Sequence, residues 1–241
     1  MMKGKIITIE GLDGAGKSTQ IELLINKFND LKIKHKFIHF PMLNQGAYGK
    51  LIAEYLRGEL GPLENVHPKL VALLFAEDRN EHKALLNEWL NDGYLIIMDR
   101  YVNSNIAFQC AKTENLEDKT ELKEWILDFE FNHNSLPLPD ISFFLNVPFN
   151  HIETSLNSSR TGVDREYLQG KKDIHEDSLD LQRNVYKEYL TLINEQKSFH
   201  EIECFKNNCD WLTKEEIHML IFEQILLFNL LGDECNKVLT K

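Results

Sequence analysis

The sequence lacks what a disulfide scaffold needs. Its four cysteines, Cys110, Cys204, Cys209 and Cys235, are scattered through 241 residues and form no Cys-x-x-Cys pair. A reduced, cytoplasmic chain is the expectation. The nine histidines complete no zinc pattern. His35 and His39 are four apart, but they flank the strand-like run Lys36-Phe37-Ile38. On a strand that spacing leaves them on one face and too far apart to share an ion. Basic residues are also scarce: 27 Lys and Arg against 38 Asp and Glu leave a formal charge of −11. That argues against wrapping nucleic acid, whose phosphates need a basic surface. A few cations focused in one cleft can still bind a small phosphate compound. No long hydrophobic run is present. The most apolar stretch, Ile217 to Leu231, is broken by His218, Glu223 and Gln224, whereas a membrane span needs about 20 apolar residues. The N-terminus, Met1-Met2-Lys3-Gly4-Lys5, runs straight into a strand pattern, so no signal peptide is expected. There is no internal repeat, no low-complexity tract and no linker that would separate two domains.

What is there is globular in composition. The 43% hydrophobic and 27% charged content excludes a disordered chain, a collagen and a coiled-coil rod. Strand-length apolar runs lie at Ile6–Ile9, Phe37–Phe40, Leu95–Met98, Ile141–Val147 and His200–Cys204. Several are nearly unbroken, as when both faces of a sheet are covered. Helical spacing appears between them, at Ile21, Leu24, Ile25 and Phe28, and again at Leu122, Trp125, Ile126 and Phe129. Thr213 and Glu216 form a capping-box pattern ahead of the last apolar helix. Alternating strands and helices predict an α/β fold, a parallel sheet with helices on both faces. Asn157 to Asp177 is polar, holds Gly162 and Gly170, and reads as a mobile loop. The tail after Gly232 is short and polar and is expected to fray.

The strongest chemical signal is Gly11-Leu12-Asp13-Gly14-Ala15-Gly16-Lys17-Ser18-Thr19. It matches the phosphate-loop pattern G-x-x-x-x-G-K-[ST], with a strand before it and an amphipathic helix after it. The glycines let backbone N–H groups turn inward around phosphates, and the helix N-terminus adds partial positive charge. Lys17 would reach the β- and γ-phosphates and Ser18 would ligate Mg²⁺. No Asn-Lys-x-Asp guanine reader is present: neither Asn26-Lys27 nor Asn236-Lys237 is followed by the required Asp. ATP is the expected donor.

Other segments suggest a second substrate. The strand Tyr94 to Met98 ends in Asp99-Arg100-Tyr101, and strand ends face the ligand crevice in doubly wound sheets. Asp99 there could hold Mg²⁺ through water and Arg100 could clamp a phosphate; a surface ion pair is the plainer alternative. If the next segment is helical, Tyr101, Asn105, Phe108 and Gln109 share a face suited to a flat, hydrogen-bonding base; a partly polar packing face is the alternative. Phase-matched one turn apart, Phe75 and Arg79 could stack a base and donate to its carbonyl, though a lone Phe is more often core. Arg160, Arg165, Lys171 and Lys172 are either solvated charges or a mobile source of positive charge over a γ-phosphate.

Together these segments resemble the thymidylate kinase family. The resemblance runs through the phosphate loop, Phe40-Pro41, Leu74-Phe75-Ala76-Glu77-Asp78-Arg79, Asp99-Arg100-Tyr101-Val102-Asn103-Ser104-Asn105 and Leu136-Pro137-Leu138-Pro139-Asp140, in order, to about Cys204. It implies a P-loop nucleoside monophosphate kinase-like fold with a five-stranded parallel sheet, transfer of phosphate from ATP to dTMP, Mg²⁺ as cofactor and a homodimer. By the same resemblance Asp13 would contact the sugar 3′-OH and Phe40 would line the sugar side. Phe75 would stack on thymine, Arg79 would bond its carbonyl edge and Asn105 would add a polar contact. Asp99 would help position Mg²⁺, and Arg100 would bind the dTMP phosphate. Tyr101 or Phe108 would crowd the 2′ position, and residues 157–177 would be the lid. Gly14 stands where one branch of the family carries an Arg, so the cation would come from the lid as Arg160 or Arg165, the bacterial-type arrangement; Asp173-Ile174-His175-Glu176 resembles its post-lid segment. Two features depart from the family. Met42 and Leu43 stand where many members have a phosphate-binding Arg, and the segment from about Asp210 to Lys241 is longer than the family needs. The alternatives are another kinase of this fold, such as a deoxynucleoside kinase, or a nucleotide-binding regulator without turnover. Three arginines (Arg79, Arg100, Arg165) directly follow an Asp, and pairing between these neighbours could orient them.

Overall fold

The five apolar runs become the five strands of one parallel sheet, in spatial order β2-β3-β1-β4-β5. The strands are β1 (Lys5–Glu10), β2 (His35–His39), β3 (Leu95–Asp99), β4 (Ile141–Asn146) and β5 (Phe199–Glu203). The computed structural model describes residues 3–157, 163–206 and 210–232. In register, Ile7 lies beside Ile97 of β3 and Ile141 of β4. Every residue of β3 and β4 is buried, and successive strand residues point to opposite faces, so both faces of the middle of the sheet are covered. The edge strand β2 is wetter, with Phe37 exposed. It ends at His39, one residue before the expected end, and the Phe40 N–H then bonds the Asp99 carbonyl at 3.0 Å.

Chain direction decides which face each helix covers. Helix α1 (Lys17–Asp30) carries the chain from β1 outward to β2, whereas the later crossovers run the opposite way across the sheet. Right-handed crossovers then place α1 on one face and the later helices on the other. Those later helices are α2 (Gly46–Leu56), α3 (Pro68–Glu81), α4 (Lys83–Asn91), α5 (Val102–Cys110), α6 (Leu116–Leu127), α7 (Phe149–Asn157) and α8 (Leu179–Glu195). A π-helical turn, Asp128–His133, continues α6. After a short β6–β7 hairpin (Phe205–Lys206 and Asp210–Trp211), α9 (Lys214–Leu227) completes the described chain.

Helix α9 lies in the stretch for which the sequence offered no role. Thr213 and Glu216 form its capping box. Its Ile217, Ile221 and Ile225 are buried in the same apolar core as Ile7, Ile97 and Phe143. It also ties to α1: Gln20 Nε2 donates to the Lys214 carbonyl at 3.0 Å, and the Lys27 ammonium sits 5.3 Å from the Phe222 ring centre. The tail from residue 233 lies outside the described residues.

The polar stretch 157–177 differs from the expectation of a mobile loop in its described part. Val163–Leu168 is a 3₁₀ turn, and Asp173 and His175 beyond it are buried. Tyr167 and Ile174 pack against a second apolar cluster built on Ile52, Tyr55, Leu56 and Val71. The Ile174 N–H bonds the Leu56 carbonyl at 2.9 Å. Polar composition here reflects side chains that satisfy one another. Arg160 lies outside the described residues, and for Arg165 only the backbone, within the 3₁₀ turn, is described.

Candidate active site

The loop from Gly11 to Ser18 joins β1 to α1 at the carboxyl edge of the sheet, where the strand order reverses and ligands of such folds bind. Gly16 is the N-cap of α1 at φ 84°, a left-handed conformation that glycine adopts without steric cost. Gly14 faces Ser155 of α7, and a Cβ on it would stand 2.5 Å from that hydroxyl oxygen. The loop therefore has no room for a side chain at Gly14, in keeping with the absence of a loop cation there. Lys17 turns back over the loop and donates to the carbonyls of Gly11 (3.2 Å) and Leu12 (3.0 Å). Burial pushes its ammonium down to about 8, with the Arg100 charge adding to the effect and Asp99 and Asp13 opposing it.

A cleft of about 640 Å³ opens beside the loop. Lys17, Ser18 and Asp99 line one end, and Phe40, Phe75, Arg79, Tyr101, Asn105 and Phe108 line the other, with Asp13 and Arg100 also on its wall. Thus the structure brings every expected acceptor-site residue into one cavity. Gly11, Leu12, Gly14, Ala15, Gly16 and Thr19 form the loop and start of α1 rather than the wall.

Asp99 ends β3. Burial works to raise its carboxyl, but the His39 hydrogen bond and the Lys17 charge outweigh this and hold it below the usual range. His39 Nδ1 lies 3.1 Å from Asp99 Oδ2, while Oδ1 is buried with no hydrogen-bond partner among the described residues. His35, on the same strand, instead has its Nδ1 2.8 Å from the Ile33 carbonyl.

Arg100 follows at φ 63°, a left-handed conformation unusual for an arginine. Its Nη2 donates to Asp13 Oδ1 at 2.6 Å and its Nη1 to Ser104 Oγ at 3.1 Å. The guanidinium carbon lies 5.2 Å from the Phe108 ring centre. Burial opposes the charge of Arg100, but Asp13 raises its pKa overall. Glu10, on the last position of β1, is fully buried. It accepts from the Tyr101 N–H (2.8 Å), Ser104 Oγ (2.5 Å) and Tyr189 OH (3.1 Å). Burial raises its pKa, yet its oxygens are engaged and it does not line the cleft.

At the far end, Arg79 is buried and forked onto Glu130, with Nε–Oε2 at 2.5 Å and Nη2–Oε1 at 2.6 Å. Burial opposes its charge, and Glu130 raises its pKa overall. Asn105 Nδ2 donates to the same carboxylate (2.8 Å) and to the Ala72 carbonyl (3.0 Å). Those two bonds fix the amide orientation and leave Oδ1 buried with no hydrogen-bond partner among the described residues. The Tyr101 hydroxyl donates to the Pro137 carbonyl at 3.0 Å.

Two corrections to the sequence reading follow. Arg79 and Arg100 do not pair with the Asp before them: Arg79 takes Glu130 and Arg100 takes Asp13; the side chain of Arg165 lies outside the described residues. Sequence neighbours on a helix or strand end diverge in direction, so adjacency gave the wrong partners. Glu130 itself was missed. Its only local trace is an acid between Phe129 and Phe131, and the π-helical turn that carries it has no sequence signature. Gln182 was missed too: it is buried on α8 and its Nε2 reaches both Asp13 Oδ2 (3.2 Å) and the His175 carbonyl (3.0 Å).

Comparison with known proteins agrees with this geometry. The family model described as thymidylate kinase matches residues 9–210. The thymidylate kinase of Brachyspira hyodysenteriae is 35% identical over 216 residues, covering 81% of this chain and 96% of the relative. That of Plasmodium falciparum is 30% identical over 237 residues, covering 97% and 95%. A solved structure of thymidylate kinase from Candida albicans superposes with a TM-score of 0.68 at 27% identity, covering 92% of this chain and 91% of that one. The matched region takes in the phosphate loop, the Asp99-Arg100 strand end and the Phe75–Arg79 helix, so this chain belongs to the thymidylate kinase family.

Proposed function

We propose that the protein transfers the γ-phosphoryl group of ATP to dTMP, giving ADP and dTDP. One observation carries this reading: the phosphate-loop residues Lys17 and Ser18 line one cleft with the side chains expected to hold a base, Phe75, Arg79 and Asn105, and Arg100 is on the same wall. The acceptor oxygen of dTMP is already ionised, so the reaction needs alignment and charge neutralisation rather than a general base. Lys17 and Arg100 supply that charge from the body of the protein. Arg160 or Arg165 supplies it from the lid at about 157–177, the bacterial-type arrangement, which the crowding of Gly14 by Ser155 supports.

At the acceptor, Phe75 stacks on thymine, Arg79 faces a ring carbonyl and Asn105 Oδ1 accepts from the ring N–H. Asp13 takes the sugar 3′-OH and Phe40 lines the sugar side. Phe108 crowds the 2′ position rather than Tyr101, whose hydroxyl is bound to Pro137. The Ser18 hydroxyl and the unpartnered Asp99 Oδ1 suit a divalent cation, and Mg²⁺ held there would neutralise phosphate charge. We read residues 1–241 as one kinase domain, since α9 shares the core of the sheet. We read the protein as a homodimer; Leu70 of α3 and Leu116 of α6 are exposed at 60% and 78% and offer an apolar face for it. A cytoplasmic setting is supported by the free, buried thiols of Cys110 and Cys204. No helix among the described residues is long and apolar enough to cross a membrane.

The test is ADP release with ATP and Mg²⁺ against dTMP, dUMP, dCMP, dGMP, AMP and thymidine. A clear preference for dTMP is expected. Thymidine should be inert, because its 5′-OH needs a base and Glu10 is sealed away. Silence on dTMP with turnover of another acceptor would overturn the roles of Phe75, Arg79 and Asn105.

Lys17 adds a pH dependence. Its protonated form binds phosphate, and in the free site it loses its proton as pH rises through about 8. ATP must then recruit a proton on binding, so its Kd should weaken by up to about tenfold per pH unit above that point. Calorimetric titration from pH 7 to 9.5 reads this directly; a flat Kd across that range would contradict the buried-ammonium picture.

A further inference from the structure

Lys112 follows α5 and looks in sequence like a surface lysine, in Cys110-Ala111-Lys112-Thr113-Glu114. Its stem is half-buried, but its ammonium points inward. All three donors of that ammonium are used, on Tyr55 OH (2.8 Å), Gln109 Oε1 (2.8 Å) and His175 Nε2 (3.1 Å). None of the three acceptors carries a negative charge. The acceptors come from three parts of the chain: α2, α5 and the Asp173–Glu176 segment. Gln109 and His175 line the cleft, whereas Lys112 does not. The His175 ring is stacked on Phe108, with centroids 5.2 Å apart and planes 24° apart, and the Arg100 guanidinium lies 5.2 Å from the same ring.

We propose that Lys112 is a positioning residue for the acceptor end of the cleft: by donating to His175 Nε2 and Gln109 Oε1 it fixes both side chains, and through the stacked rings it holds Phe108 in place. The proposal rests on reading this end of the cleft as the dTMP site. While Lys112 is charged its ammonium cannot accept a hydrogen bond, so the contact then requires His175 Nε2 to be unprotonated and places the ring proton on Nδ1; the Tyr55 hydroxyl, which accepts from the same ammonium, lies 3.3 Å from that Nε2 and is turned to donate to it. Burial lowers the pKa of His175 well below the ordinary value, with the Lys112 charge adding to this, so the ring is neutral. The same desolvation pushes Lys112 down to about 7, with Asp173 opposing. The other groups facing it are the Tyr55 hydroxyl from α2, and Asp173 and His175 from the Asp173–Glu176 segment. Asp173 is turned to Tyr167 OH (2.6 Å) and the His175 N–H (2.7 Å) rather than to the ammonium.

An inert stem with no donors, Lys112→Met, isolates the effect. Its KM for dTMP should rise about tenfold, the scale of misplaced pocket groups, with kcat and the KM for ATP within about twofold. Lys112→Arg keeps charged donors and should recover most of the loss. Independently of turnover, ¹⁵N spectra of the wild-type His175 ring should show a protonated Nδ1 and an unprotonated Nε2, and Lys112→Met should shift the ring toward a tautomer mixture. An unchanged dTMP KM in Lys112→Met, equal defects in the Met and Arg variants, or a wild-type ring protonated on Nε2 would each overturn the proposal. If the wild type fails to use dTMP, the proposed reaction falls, while the ring spectra still decide the role of Lys112. If Lys112→Met does not fold, Lys112→Gln and the wild-type spectra carry the same decision.

Discussion

Arg100→Ala is expected to lower kcat/KM for dTMP by about 10³- to 10⁴-fold while leaving the Kd for ATP within about threefold. Each factor of ten is about 1.4 kcal/mol, so the loss asked of this side chain is about 4–5.5 kcal/mol. That is the scale of a preorganised charge aimed at transferring phosphate in a water-poor site. The preorganisation is visible: Asp13, Ser104 and Tyr189 hold the guanidinium, and Phe108 backs it. The alanine variant keeps the phosphate loop and Lys17, so ATP retains its main contacts. It also inherits the left-handed backbone at φ 63°, which costs Ala about what it costs Arg. Backbone strain therefore does not confound the comparison. Steady-state kinetics with dTMP and calorimetry with ATP separate the two effects. Near-normal turnover in this variant would show that another cation clamps the acceptor phosphate.

Glu130→Ala should be the costliest of these changes for stability. Removing one partner of a buried ion pair strands the other, at about 3–5 kcal/mol. Arg79 is 2% exposed and Glu130 0%, so water cannot take over the lost contacts. Asn105 loses a partner in the same step. The urea midpoint should fall accordingly, and the KM for dTMP should rise because the Arg79 fork is no longer aimed. The double variant Arg79→Met, Glu130→Leu separates the two roles. Apolar replacement of a buried pair is often neutral or stabilising, so it should regain most of the stability and none of the dTMP affinity. A Glu130→Ala protein as stable as wild type would mean that the pair opens to solvent.

The difference between these two residues shows what the sequence makes legible. Arg100 could be found because it ends a strand, and strand ends in this fold have a fixed place. All five strands of the parallel sheet were readable as apolar runs, most plainly the central ones, which bury both faces. The phosphate loop was readable because its chemistry is local: glycines, a lysine and a helix start within nine positions. Phe75 and Arg79 were readable as one turn of one helix. Glu130, Lys112, His175 and Gln182 were not. Each acts through at least one partner 25 or more positions away, Arg79 and Asn105 for Glu130, Tyr55 for Lys112 and for His175, and Asp13 for Gln182. The lid region misled for a related reason. Its polar composition suggested solvation, but Tyr167, Asp173 and His175 bond inward.

Strand β1 sits at the middle of the sheet although it is made first among the described strands. Its ladder partners are Leu95 beside Lys5 and Ile141 beside Ile7, so neither side can pair until a loop of roughly 90 residues or more has closed. Loop closure of that length adds entropy cost before any contact rewards it, and folds dominated by such pairings form slowly, in milliseconds to seconds. During that interval Ile6, Ile7 and Ile9 have no sheet to enter. Partly folded chains with bare strands associate with one another, and mutual repulsion between copies carrying eleven excess negative charges opposes that encounter. The excess of acid, beyond the few carboxylates that serve the cleft, thus has a use on the way to the native state: it opposes the encounter of copies while the central strand waits for its neighbours.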